Sequence, residues 1–215
     1  MAKIELFDKN GNSRGYFETK NRVNHLTGKE WLFSTKSVIP KNFPPSFQHK
    51  LRNQHGGQKP PELCQQLIET FTKERQLVLD PFAGVGGTLI GATLANREAL
   101  GIEINPQWIE IYEKVCELED LEPQPIKHGD CRDILDSVKN PVDFVLTDVP
   151  FWKMDSVEKS KGVYKKHGEK AKGVYSDKSK LSKFSKKERS EYEAKESWRT
   201  LMHEAFSKCF GLLKP

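Results

Sequence analysis

The chain of 215 residues is short of several things, and each shortage closes off a class of function. Its four cysteines, Cys64, Cys116, Cys131 and Cys209, stand far apart with no paired spacing. They therefore indicate neither a zinc site nor a disulfide framework; the six histidines form no ligand cluster, so no metal is expected. There is no long apolar run, the mean hydropathy is −0.68, and Met1-Ala-Lys-Ile-Glu lacks a signal-peptide core. No membrane span is expected, and the cytoplasm is the expected compartment. Missing too is a Lys followed by Ser or Thr behind the glycine-rich turn, without which the outer phosphates of ATP or GTP have no anchor. At 36% hydrophobic residues there is enough apolar material for one sheet and its helices.

What is present centres on Leu77-Val-Leu-Asp-Pro-Phe-Ala-Gly-Val-Gly-Gly-Thr88. A short β-branched run ends in Asp80 and breaks into a glycine turn that opens a helix over residues 89–96, the pattern of a nucleotide-binding βα unit. Gly84 and Gly86 match the first two glycines of the dinucleotide fingerprint, but Leu89 takes the third place, so a pyrophosphate is not the obvious guest. The missing side chains let the backbone approach a compact ligand, and the Asp80 carboxylate could attract an ammonium or sulfonium. S-adenosylmethionine carries both. The next strand, Ala99 to Asn105, contains Glu103 about twenty residues past the turn, where an acidic group accepts hydrogen bonds from ribose hydroxyls. A third strand, Gln124 to His128, leads to Asp130, placed to accept the adenine amino group. The fourth, Val142 to Thr147, ends at Asp148. In a parallel sheet these four carboxyl ends face one crevice.

These motifs resemble those of S-adenosylmethionine-dependent DNA amino-methyltransferases acting on adenine N6 or cytosine N4. Asp80-Pro-Phe-Ala-Gly-Val-Gly-Gly-Thr88 is similar to the family's cofactor motif, His55-Gly-Gly-Gln-Lys-Pro-Pro-Glu62 to the segment ahead of it, and Asp148-Val-Pro-Phe151 to the catalytic tetrapeptide. The motif order resembles the group labelled γ. The resemblance implies an α/β, Rossmann-like methyltransferase fold with a parallel sheet core, and an enzyme of site-specific DNA methylation in restriction–modification. It implies cofactor contacts from Lys59, Pro60, Asp80, Pro81, Phe82, Ala83, Gly84, Gly86, Thr88, Glu103, Ile104 and Asp130. Asp148, Val149, Pro150 and Phe151 form the implied catalytic set. The Asp148 side chain and the Val149 carbonyl accept from the target amine, and Phe151 stacks on the flipped base. Family members usually carry proline at the second place, and Val149 lacks its fixed φ, so a less ordered loop is expected. The leading Asp148 leans towards adenine.

Between Lys153 and Ser190 stand thirteen basic and five acidic residues, a net of +8 against +5 for the whole chain. This segment is too polar to pack a core and reads as a mobile loop that could neutralise DNA phosphates through Trp152, Lys161, Tyr164, Lys165, Lys166, Lys172 and Tyr175. Ahead of the core, Asn10-Gly11-Asn12 between two apolar runs predicts a β-hairpin over residues 3–19 as an N-terminal extension. The expected organisation is an extension over 1–42, a cofactor-binding catalytic core over 43–152, the basic loop over 153–190 and a C-terminal helix over 191–215. That helix reads from an apolar stripe at Trp198, Leu201, Met202, Ala205, Phe206, Cys209 and Phe210. In the family, the Leu-Lys-Pro that follows introduces further strands. Those C-terminal strands are missing from this chain, so the fourth strand is expected to have an open edge, to be completed by a missing C-terminal segment, a second chain or a homodimer. DNA is the expected partner. RNA, protein glutamine, and a non-catalytic DNA-binding or regulatory role on the same fold are the alternatives.

Overall fold

The structure, a computed structural model, describes residues 3–34, 39, 43–150, 164–166, 169–171 and 195–214. In chain order the elements are β1 (Lys3–Phe7), β2 (Ser13–Glu18), α1 (Gly28–Ser34), α2 (His49–Arg52), α3 (Pro61–Phe71), β3 (Leu77–Asp80), α4 (Gly87–Leu94), β4 (Glu98–Glu103) and α5 (Pro106–Leu118). There follow β5 (Ile126–His128), α6 (Cys131–Leu135), β6 (Phe144–Val145), β7 (Tyr164–Lys166), β8 (Glu169–Ala171) and α7 (Lys195–Leu212).

β3 to β6 form one sheet in the order β5-β4-β3-β6, and every pairing in it is parallel. Alternate residues of β3 feed opposite faces, as strand geometry requires. Val78 joins a core with Ile68, Leu89, Ile90, Trp108 and Val115, under α3, α4 and α5. Leu79 joins one with Ile102, Leu135, Leu201 and Ala205, under α6 and α7. Helices on both faces of a parallel sheet make the expected Rossmann-like α/β layering.

The N-terminal hairpin forms as expected, β1 antiparallel to β2, with the Asp8 side chain accepting from the amides of Asn10 and Asn12 at 2.9 and 2.8 Å. Fully buried Asn24 fastens the segment behind it to the end of α3, donating to the Thr70 carbonyl at 2.6 Å.

One sequence expectation needs revision. The fourth strand pairs in the ladder over Phe144–Val145 alone, because Val142 instead forms a parallel bridge with Leu213. The Val142 amide donates to the Leu212 carbonyl at 2.8 Å and the Lys214 amide to the Val142 carbonyl at 2.9 Å. Among the described residues, the outer side of that strand is therefore met at its start and has no partner strand beyond it. Within the basic segment, β7 and β8 pair antiparallel.

Candidate active site

The carboxyl ends of β3, β4, β5 and β6 lie on one edge of the sheet, where open α/β folds bind ligands. The turn after β3 brings Gly84 to φ +53° and Gly86, the N-cap of α4, to φ +74°. A Cβ on Gly86 would stand 2.1 Å from Cδ2 of Tyr112, so this position excludes any side chain by space as well as by backbone angle.

Asp80 is fully buried and has three donors. Lys59 Nζ lies 3.0 Å from Oδ2, Thr147 Oγ1 donates to Oδ1 at 2.6 Å, and the Phe82 amide donates to Oδ1 at 3.1 Å. Burial would pull the Lys59 ammonium down, but the Asp80 carboxylate, with a smaller contribution from Asp148, holds it above its ordinary value. These surroundings give Asp80 a task different from direct attraction of a ligand cation: it joins the strand of the glycine loop to Lys59 on one side and to the residue before Asp148 on the other. The Thr88 hydroxyl adds a second link, donating to the Leu146 carbonyl at 3.4 Å.

Glu103, 9% exposed, accepts from the Gly84 amide at 2.7 Å and the Asn105 amide at 2.8 Å. Each carboxylate oxygen can take more than one hydrogen bond, so this group can brace the glycine loop and receive a ribose hydroxyl together. Ile104 follows it, half-buried at the strand end. Asp130 also reaches the crevice end, but as N-cap of α6 it accepts from the Arg132 amide at 2.9 Å and pairs with that guanidinium, Nη2 to Oδ2 at 2.6 Å. Burial would raise its carboxyl; the bonds from Arg132 hold it below its ordinary value. Pro81 and Ala83 are buried in the turn, and Pro60 caps α3, whose first residue is Pro61.

Two residues that the sequence did not mark, Arg52 and Trp108, stand beside this loop with His55 of the segment ahead of the cofactor motif. Arg52, in the four-residue α2, is 1% exposed; its Nη2 donates to the Lys59 carbonyl while its Nε has no hydrogen-bond partner. Burial lowers its pKa to about 10. Trp108, on α5, is equally buried and its indole N–H is likewise unpartnered. His55 stands edge-on to Trp108, centroids 5.1 Å apart, with Nε2 3.2 Å from where a Gly84 Cβ would be. A buried polar group without a partner is costly, and two such donors beside a glycine loop suit an anionic ligand group such as a carboxylate. With Glu103 for a ribose and the open glycine backbone, the residues present fit S-adenosylmethionine. Nothing in the local sequence around Arg52 signals this, since α2 is too short to show periodicity.

His55 also sets a pH dependence. Burial, with Lys59 and Arg52 nearby, pushes its imidazole down from 6.5 to about 4. Between these values the unfolded chain binds the proton and the folded chain does not, so stability falls as pH drops through this window. Thermal unfolding followed from about pH 7 to 4 is expected to show that fall, and His55→Gln to flatten it. An identical slope in the variant would remove His55 as the cause.

Asp148 is exposed at the mouth of the crevice, Val149 packs against the core under α7, and the Pro150 carbonyl accepts from Trp198 Nε1 at 2.7 Å. Phe151, Trp152, Lys161, Lys172 and Tyr175 lie outside the described residues; Tyr164, Lys165 and Lys166 form β7. Among the described residues no group of three or more His, Cys, Asp or Glu could hold a metal ion, and no helix is long and apolar enough to cross a membrane.

The family model for DNA methylases of the N6/N4 type matches residues 4–114, more than half of the chain. The chain belongs to this DNA methylase family. The match takes in the hairpin β1–β2, the whole of the Arg52 to Lys59 wall, the glycine loop and Glu103. This methylase chain is 53% identical over 51 residues to the type II methyltransferase M.HindIII of Haemophilus influenzae, across 24% of its own length and 16% of the relative's. It is 35% identical over 93 residues to M.HpaI of Haemophilus parainfluenzae, across 41% and 27% of the two chains. With M.HinfI of Haemophilus influenzae the identity is 37% over 71 residues, across 33% and 19%. The matched segments therefore span less than a third of each of these relatives.

Proposed function

We propose that this methylase transfers a methyl group from S-adenosylmethionine to the exocyclic amine of a flipped DNA base, adenine N6 ahead of cytosine N4. The observation that supports this most is the bond from Thr147 to Asp80, which sets the strand of the glycine loop and the residue before Asp148 against one another at 2.6 Å. When bound, the cofactor supplies an electrophilic methyl on a sulfonium. The chain's own part is to hold and polarise. Glu103 and the Gly84–Gly86 backbone receive the nucleoside end, and Lys59, Arg52 and Trp108 surround the amino-acid end. At the acceptor, an exocyclic amine has its lone pair delocalised into the ring and is a poor nucleophile. Asp148 Oδ and the Val149 carbonyl accept hydrogen bonds from its two N–H groups, favouring a tetrahedral nitrogen and stabilising the positive charge that develops there, an effect of about 3 kcal/mol for a well-placed group.

The net +8 of residues 153–190 supports phosphate contact beside the flipped base, with salt-sensitive and largely sequence-independent affinity. Under this reading the protein works on cytoplasmic DNA, in a restriction–modification setting. We also propose that the open part of β6 takes a further strand, from a further segment, a second chain or a second copy.

The test is transfer of labelled methyl from S-adenosylmethionine to unmethylated DNA and to RNA. Incorporation into DNA at adenine N6, with none into RNA, is expected. Labelling of RNA alone, or cofactor and DNA both bound with no methyl moved, would overturn the proposal.

A further inference from the structure

The acceptor loop carries Val149 where its family usually has a proline, so its order must come from elsewhere. The structure holds the loop at three points. On one side, the Thr147 hydroxyl donates to Asp80 at 2.6 Å, against a carboxylate that is itself fully buried and fixed by Lys59. In the middle, the Val149 side chain packs on the core formed by β3, β4, α6 and α7, together with Val145 and Trp198. On the other side, the Trp198 indole donates to the Pro150 carbonyl at 2.7 Å, reaching across 48 residues of chain from α7.

We propose that Thr147 and Trp198 are positioning residues that give the Asp148-Val149-Pro150 loop the order a second proline would otherwise provide. The proposal rests on the methyl-transfer reading and concerns how that site is kept ready. Proline restricts one φ before any partner arrives; a hydroxyl bonded to a buried carboxylate at one end and an indole bonded to a carbonyl at the other restrict the same stretch through its flanks. Val149 then serves as an apolar anchor between the two clamps. Because Trp198 lies beyond the basic segment, the same bond ties the chain that returns from it to the acceptor loop.

The test uses three substitutions: Trp198→Phe keeps an aromatic ring without the donor, Thr147→Val keeps the shape without the hydroxyl, and Thr147→Ser keeps the hydroxyl. In the protein alone, hydrogen exchange of the Leu146 amide, which enters the loop and donates to the Leu79 carbonyl at 3.0 Å, is expected to speed up about five- to tenfold in the first two, as loss of one hydrogen bond implies, and to stay at the parent rate in Thr147→Ser. Amides of β4 are expected to keep their parent rates, and affinity for S-adenosylhomocysteine to stay within about threefold. In methyl transfer, kcat should fall with the KM for cofactor unchanged. Parent-rate exchange in both variants, equal acceleration in β4, or an affinity loss as large as the loss in kcat would each overturn the proposal. The exchange and binding measurements need no turnover. A parent protein that binds S-adenosylhomocysteine but moves no methyl would therefore sink the methyl-transfer reading, while the exchange rates still decide whether the loop is clamped.

Discussion

Asp148→Ala is expected to lower the rate of methyl transfer by about two to three orders of magnitude while leaving the fold and the cofactor affinity in place. The side chain is exposed and makes none of the bonds that hold the loop, which are made by Thr147, Val149 and the Pro150 carbonyl. Surface substitutions of this kind shift stability by about 0.5 kcal/mol or less. The catalytic loss is large for a different reason. The carboxylate's interaction with the amine strengthens as positive charge grows on nitrogen, so its removal affects the transition state more than the ground state. Single-turnover transfer of labelled methyl to DNA, alongside thermal melts and cofactor titration, separates the two effects. A variant with activity close to the parent's would remove Asp148 from the catalytic role.

Asp80→Asn is expected to produce the largest loss of stability of any single change at the site. Replacing one partner of a buried ion pair leaves the other charge uncompensated, at a cost of about 3–5 kcal/mol. Here the abandoned group is the Lys59 ammonium, whose side chain is only 16% exposed, and the change also alters the acceptor for the Thr147 hydroxyl and the Phe82 amide. For a chain of this size that corresponds to a fall in Tm on the order of 10 °C. Pairing the change with Lys59→Met removes the orphaned charge and is expected to recover part of the loss, since a buried pair can be replaced by apolar groups at little cost. Urea midpoints of the two single variants and the double variant measure the coupling directly. Additive losses, or a single variant within about 1 kcal/mol of the parent, would show that Lys59 and Asp80 do not depend on each other.

The crevice residues show how unevenly the site can be read. Gly84, Gly86 and Glu103 stand where their spacing placed them, because a glycine turn after a strand and an acid at the end of the next strand are fixed by short stretches of backbone. Asp130 was placed correctly in the chain but not in its company: Arg132, two residues on, takes its carboxylate through a cap and an ion pair. Asp80 was read as a carboxylate that could attract an ammonium or sulfonium, and the structure shows it buried under three donors. Arg52 carries no local signature, and the apolar stripe that includes Trp198 gives no sign of its bond to the Pro150 carbonyl.

By itself the sequence determined the elements: the short apolar run of β3, the hairpin turn at Asn10-Gly11-Asn12, the apolar stripe of α7 and the glycine loop, all set by neighbours a few residues apart. Only the tertiary structure decided the bonds that make these elements a site. Lys59 meets Asp80 across 21 residues, Thr147 meets Asp80 across 67, and Trp198 meets Pro150 across 48. Such pairings depend on which strands lie side by side and how closely helices pack on them, and packing is a property of the whole sheet that no window of sequence contains.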